Sequence, residues 1–130
     1  MAEKTFTYAQ ACALLGDVRR KTQAADERLQ QFRAEIETAG KESERAEQIG
    51  AQMNEVVHRW AEDILAVGAL PKGLWTVDFD SGQGFFYCWT LNEDELTHYH
   101  TYEEGFRGRK PLVDGQPDRL PGSQKPPVLN

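Results

Sequence analysis

Cysteine is scarce: Cys12 and Cys88 are the only two in 130 residues. Two thiols cannot build a disulfide scaffold, and a chain of this length can bury a core without one. Free thiols in a reducing compartment are expected, and a cytoplasmic location with them. Long apolar runs are also missing. The longest spans residues 64–70, far short of the roughly 20 residues that cross a bilayer as a helix. The N-terminus MAEKTFTYAQ is polar, and Asp17 and Arg19 soon follow, so no signal peptide is expected. Positive charge is in deficit: 15 Lys and Arg stand against 21 Asp and Glu, a net charge of −6. Nucleic acids and anionic membranes both demand a basic face, so neither is an expected partner. Proline is absent from the first 70 residues, and five of the six prolines lie at or beyond Pro111.

What is present is heptad order. Thr7 followed by Gln10 is a capping box and predicts a helix start. Beyond it Ala11, Leu15, Val18, Thr22, Ala25, Leu29, Phe32 and Ile36 recur in steps of four and three, a seam interrupted only by Thr22. Gly40 is placed to end this helix. Ser43 is the expected cap of a second helix, whose seam runs through Ala46, Ile49, Met53, Val56, Trp60, Ile64 and Val67 until Gly68 and Pro71 stop it. The short connection folds the two back antiparallel. Two helices leave flanks bare, so Tyr8, Leu14, Val57 and Leu65 require cover from the rest of the chain or from a second copy, making a homodimer an expected state.

After Pro71 the pattern turns to alternation. Residues 74–80, 85–91 and 96–102 read as three strands joined by turns at 81–84 and 92–95. The expected architecture is α+β, a single domain: a long antiparallel two-helix hairpin (7–68), a three-stranded antiparallel β-meander with an arginine loop (73–109) and a proline-rich extended tail (110–130). If Gly82-Gln83 forms a two-residue turn and Glu93-Asp94 centres the next, Asp78 lies opposite Tyr87 and Tyr87 opposite His100. One face then carries Asp78, Tyr87, Trp89, His98 and His100. The other carries Trp75, Val77, Phe79, Phe86 and Cys88, which makes Cys88 a buried apolar residue rather than a nucleophile.

Residues 74–106 hold seven acids and two histidines with no Lys or Arg, an electronegative stretch suited to a cation. His98 and His100 share a strand face, and with Asp78 they form a candidate set for a divalent transition metal. Asp78 and His100 are alternatively a hydrogen-bonded acid–base pair. Arg109 is expected either to tie its loop to Glu93, Glu103 or Asp78 through a bidentate, two-pronged contact, or to clamp an anionic ligand.

The run Cys88-Trp89-Thr90-Leu91-Asn92-Glu93, then His100, then residues 105–112 (GFRGRKPL) resembles a family of uncharacterised prokaryotic proteins, domain of unknown function 2203. Asp78, Phe79, Cys88, Trp89, Glu93, His100, Gly105, Phe106, Gly108 and Arg109 match its pattern. Asn92 stands where that pattern has Gly, and Asn also tolerates a left-handed turn. The resemblance implies a fold and a site at Asp78, Glu93, His100 and Arg109, but no activity. The functional expectation is a non-enzymatic interaction or scaffold module that dimerises through its hairpin and offers this polar site to a protein or small molecule. The alternative is a metal-binding or hydrolase-like acid–base enzyme using Asp78, Glu93 and His100.

Overall fold

Helix α1 (Tyr8–Ala39) starts where its cap dictates. The Thr7 hydroxyl accepts from the Gln10 N–H at 3.1 Å, and the Gln10 amide oxygen accepts from the Thr7 N–H at 2.9 Å. The computed structural model describes residues 4–112. At 1.5 Å per residue the 32 residues of α1 span about 48 Å. Helix α2 (Glu44–Ala66) is capped by Ser43, whose hydroxyl accepts from the Ala46 N–H at 3.0 Å, with Glu44 and Glu47 at the positive end of its dipole.

The structure buries most of the seam predicted from the sequence and leaves Ala25, Ile36, Met53, Val56 and Val67 half-buried. Ala11, Leu15, Val18, Thr22, Leu29 and Phe32 of α1 and Ala46, Ile49, Trp60 and Ile64 of α2 are buried. Thr22, the polar interruption, is satisfied twice. Its hydroxyl donates to the Val18 carbonyl at 2.7 Å and accepts from Trp60 Nε1 at 2.8 Å. The residue that interrupts the heptad is therefore the partner that lets an indole N–H go below the surface.

The sheet corrects the expectation of three strands. It has five, in order β1 (Leu70–Lys72), β2 (Thr76–Asp80), β3 (Phe85–Thr90), β4 (His98–Thr101) and β5 (Lys110–Pro111), all antiparallel to their neighbours. The two additional strands are the edges, short and proline-bearing, which is where a sheet tolerates proline. Pro71, read as a helix stop, and Pro111, read as part of the extended tail, sit in them. The start of the expected tail is thus an edge strand. The remainder of the tail, 113–130, lies outside the described residues.

Register also differs from expectation. Asp78 pairs with Cys88 rather than Tyr87, and Tyr87 pairs with Tyr99 rather than His100. The β2–β3 loop has three residues, Gly82 to Gly84, because the Ser81 N–H closes it on the Phe85 carbonyl at 3.0 Å. Asp80 and Ser81 shape it, accepting from the Gly82 and Gln83 N–H groups at 2.8 and 3.0 Å. Gly82 and Gly84 take φ of 77° and 96°, conformations that glycine alone adopts freely. One added loop residue turns β3 over. Tyr87 and Trp89 pass to the helix side, and Phe86 and Cys88 to the outer face with Asp78 and His100.

The hairpin packs on the face carrying Val77, Phe79, Phe85, Tyr87, Trp89 and Tyr99. Phe6 meets Phe79 edge-on at 5.4 Å, Tyr8 meets Tyr87 at 5.6 Å, and Trp60 meets Trp75 at 4.9 Å. Tyr8 thus gains the cover it required and donates to the Leu96 carbonyl at 2.8 Å. Leu14 and Val57 are half-covered, whereas Leu65 stays 54% exposed. None of the described helices is long and apolar enough to cross a membrane.

Completing the heptad should weaken the protein. Thr22→Val strands the buried Trp60 N–H, and the urea midpoint should fall by the equivalent of about 1–3 kcal/mol. Thr22→Ser, which keeps the hydroxyl, should lose less; equal losses in the two variants would contradict this role.

Candidate functional site

The outer face of the sheet, away from the hairpin, carries buried polar groups. Asp78 is 2%, His100 3% and Cys88 0% exposed. Because β3 lies between β2 and β4, Asp78 and His100 reach each other diagonally across it, with His100 Nε2 and Asp78 Oδ2 3.0 Å apart. His100 Nδ1 lies 2.8 Å from the Thr101 carbonyl oxygen, which can only accept, so Nδ1 carries a proton. Nε2 then shares one further proton with Asp78, and an imidazolium–carboxylate pair is the form that suits both contacts. Burial presses the His100 pKa down. The Asp78 hydrogen bond, the Thr101 carbonyl and the Asp78 charge together outweigh it, and the net shift is upward from 6.5.

Cys88, opposite Asp78 on β3, completes a cluster. One ligand atom each from Asp78, Cys88 and His100 lie within 4.8 Å of one another. Burial, then the negative charge of Asp78, push the Cys88 thiol up to about 12, against the opposing pull of Arg109. At neutral pH it is a protonated thiol and no nucleophile. The second oxygen, Asp78 Oδ1, is buried with no hydrogen-bond partner.

Glu93 and Arg109 form a second pair beside the first. Arg109 Nη2 donates to Glu93 Oε1 at 2.7 Å and to the Cys88 carbonyl at 3.0 Å. The same Glu93 oxygen accepts from the Thr90 N–H at 3.0 Å. Arg109 thereby ties the segment after β4 to the centre of the sheet. Its guanidinium stacks on Phe106 at 4.9 Å, and its Nε is buried without a hydrogen-bond partner. The tie runs through one nitrogen, not the two-pronged fork expected, and its acid is Glu93 rather than Glu103 or Asp78. Asn92, with φ of 87°, makes the left-handed turn that presents Glu93.

The structure thus brings Asp78 to His100 and Glu93 to Arg109. Cys88 links the pairs, its thiol facing Asp78 and its carbonyl bound to Arg109. His98 stands apart from the triad: its Nδ1 is 3.0 Å from Thr97 Oγ1 and 3.9 Å from Glu93 Oε2. Cys88 is the residue that sequence reasoning missed. The signal that would have found it is the Asp80-Ser81 pair, whose side chains favour the longer, glycine-flanked loop.

As a general base the pair is poorly placed, since both His100 nitrogens are already engaged, Nδ1 by the Thr101 carbonyl and Nε2 by Asp78. As a metal site the donors are apt. Thiolate, imidazole and carboxylate are the ligands of zinc and its neighbours, and a backbone carbonyl on the far nitrogen is a common way of orienting a metal-bound histidine.

A family model described as an uncharacterized conserved protein, DUF2203, matches residues 4–112, and the chain belongs to that family. No curated protein and no solved structure matches it.

The buried pair should leave a pH signature. A histidine whose folded pKa exceeds its unfolded value contributes fully below about pH 6.5 and loses that contribution as pH rises through the folded pKa. His100→Ala, which strands Asp78, should cost about 3–5 kcal/mol at pH 6. The gap from the parent protein should narrow at pH 9, measured by urea unfolding. A gap independent of pH would contradict the paired assignment.

Proposed function

We propose that this member of the DUF2203 family is a non-enzymatic binding module that takes up a divalent transition metal on the outer face of its sheet, through Asp78, Cys88 and His100. The observation that carries this reading is the convergence of three buried donors of different chemistry from three neighbouring strands. Asp78 Oδ1, a buried acceptor without a partner, supports it, because such an atom is costly unless something binds it. Charge supports it as well. A dication in place of the protons on His100 and Cys88 leaves the cluster neutral, as it is now. The thiolate favours zinc or cobalt over magnesium or calcium. Relative to the set expected from sequence, Cys88 takes the place of His98.

The scaffold reading keeps one observation of its own. An open groove of about 530 Å³ between the helices, lined by Phe32, Val56, Arg28 and Arg59 among others, together with the exposed Leu65, is where a second chain would meet the hairpin. Light scattering that returns a strict monomer removes that reading without touching the metal site.

Zinc added to metal-free protein should raise the melting temperature. At a hundred times its dissociation constant a ligand adds about 2.7 kcal/mol, roughly 10 °C or more for a domain of this size. Cys88→Ser and Asp78→Asn should abolish most of the shift, while His98→Gln should retain it. No shift in the parent protein, or a full shift in Cys88→Ser, would overturn the proposal.

A further inference from the structure

The three donors leave a tetrahedral ion one ligand short, since no fourth His, Cys, Asp or Glu joins them among the described residues. With Asp78 binding through a single oxygen, the missing ligand comes from outside the chain, as water or as a ligand atom of another molecule. What surrounds the triad decides between these.

Two cations flank it, in a part of the sequence dominated by acids. Arg109 reaches the triad from the segment after β4, with Nη2 on the Cys88 carbonyl at 3.0 Å and a side chain only 13% exposed. Its Nη2 is satisfied by Glu93 and that carbonyl, but Nε is buried with no hydrogen-bond partner. Lys72, at the end of β1, shares the face of Asp78, because Leu70 two residues before it pairs with Asp78 and Lys72 itself pairs with Thr76. A metal bound by one thiolate, one carboxylate and one imidazole is already neutral, so a neutral fourth ligand leaves both flanking cations without a counter-charge at the site beyond Glu93. An anion on the metal would meet that positive fringe and give the idle Arg109 donor a partner. Planar guanidinium groups match carboxylate and phosphate oxygens best.

We infer that the metal-loaded site is a receptor for a small oxyanion, a carboxylate or phosphate group that takes the fourth position on the metal and is held from the side by Arg109. The inference rests on the metal reading. Arg109 thereby has two roles: it ties its loop to Glu93, and it selects the charge of the ligand. The step is an exchange of bound water for the anion, with no bond made or broken within the chain.

Cobalt(II) separates the two claims, because its visible absorption reports both thiolate ligation and any change in the fourth ligand. The parent protein is loaded with Co²⁺ and titrated separately with acetate and with inorganic phosphate. The expected result is a saturable change in the cobalt bands, and the anion that produces it at lower concentration identifies carboxylate or phosphate as the group preferred. Arg109→Gln should weaken that response by about tenfold or more while leaving the initial cobalt bands in place. Arg109→Lys, which keeps the charge but loses the planar donors, should also weaken it and carries the test if the glutamine variant does not fold. Cobalt bands that ignore both anions, or an unchanged anion affinity in a folded Arg109 variant, would overturn the inference and leave the metal site standing. Absence of cobalt bands in the parent protein would sink the metal reading and this inference together.

Discussion

The contact between Asp78 and His100 is the constraint around which the outer face of this sheet is built. Two ionisable side chains lie below the surface there, and burial on that scale is tolerated only when each charge has a partner. Their 3.0 Å contact, with the Thr101 carbonyl fixing the far nitrogen, supplies those partners and leaves one carboxylate oxygen over. The strand between them decides what else belongs to the site. Since β3 presents Cys88 at that point, a thiol and two oxygen or nitrogen donors meet where a different register would have put a tyrosine.

The remainder of the fold serves that arrangement from behind. The hairpin covers the aromatic face of the sheet, and the Thr22–Trp60 and Asp26–Trp75 hydrogen bonds fasten large indoles whose N–H groups would otherwise be stranded. With one face committed to the helices, the polar side chains of β2, β3 and β4 have only the other to occupy. Glu93 and Arg109 close the edge, joining the β3–β4 loop to the segment before β5. The hairpin thus provides rigidity, and the chemistry resides on a sheet surface some distance from its tip.

Much of this was legible in the sequence, for reasons that are local. The capping box at Thr7, the cap at Ser43 and the uninterrupted heptad steps act over three or four residues, and the helices follow them closely. The pairings of Asp78 with His100 and of Glu93 with Arg109 were anticipated even though the register behind them was not. A one-residue slip in each hairpin adds to a two-residue shift of β4 against β2, so those two strands keep their faces, Asp78 lines up with His98 rather than His100, and only β3 is reversed. Strand face is set by a single loop residue, and a four-residue turn segment does not announce whether two or three of its members stay unpaired. The edge strands escaped notice because each is two or three residues long and holds a proline, the residue that elsewhere marks an end.

The central claim is that the thiol, not the second histidine of β4, joins Asp78 and His100 around a metal. X-ray absorption at the zinc edge of the stoichiometrically loaded protein reads the donor atoms directly. The account predicts one sulfur at about 2.3 Å, with the remaining ligands nitrogen and oxygen at about 2.0–2.2 Å and the signature of a single imidazole. A shell of nitrogen and oxygen alone, with no sulfur, would contradict it.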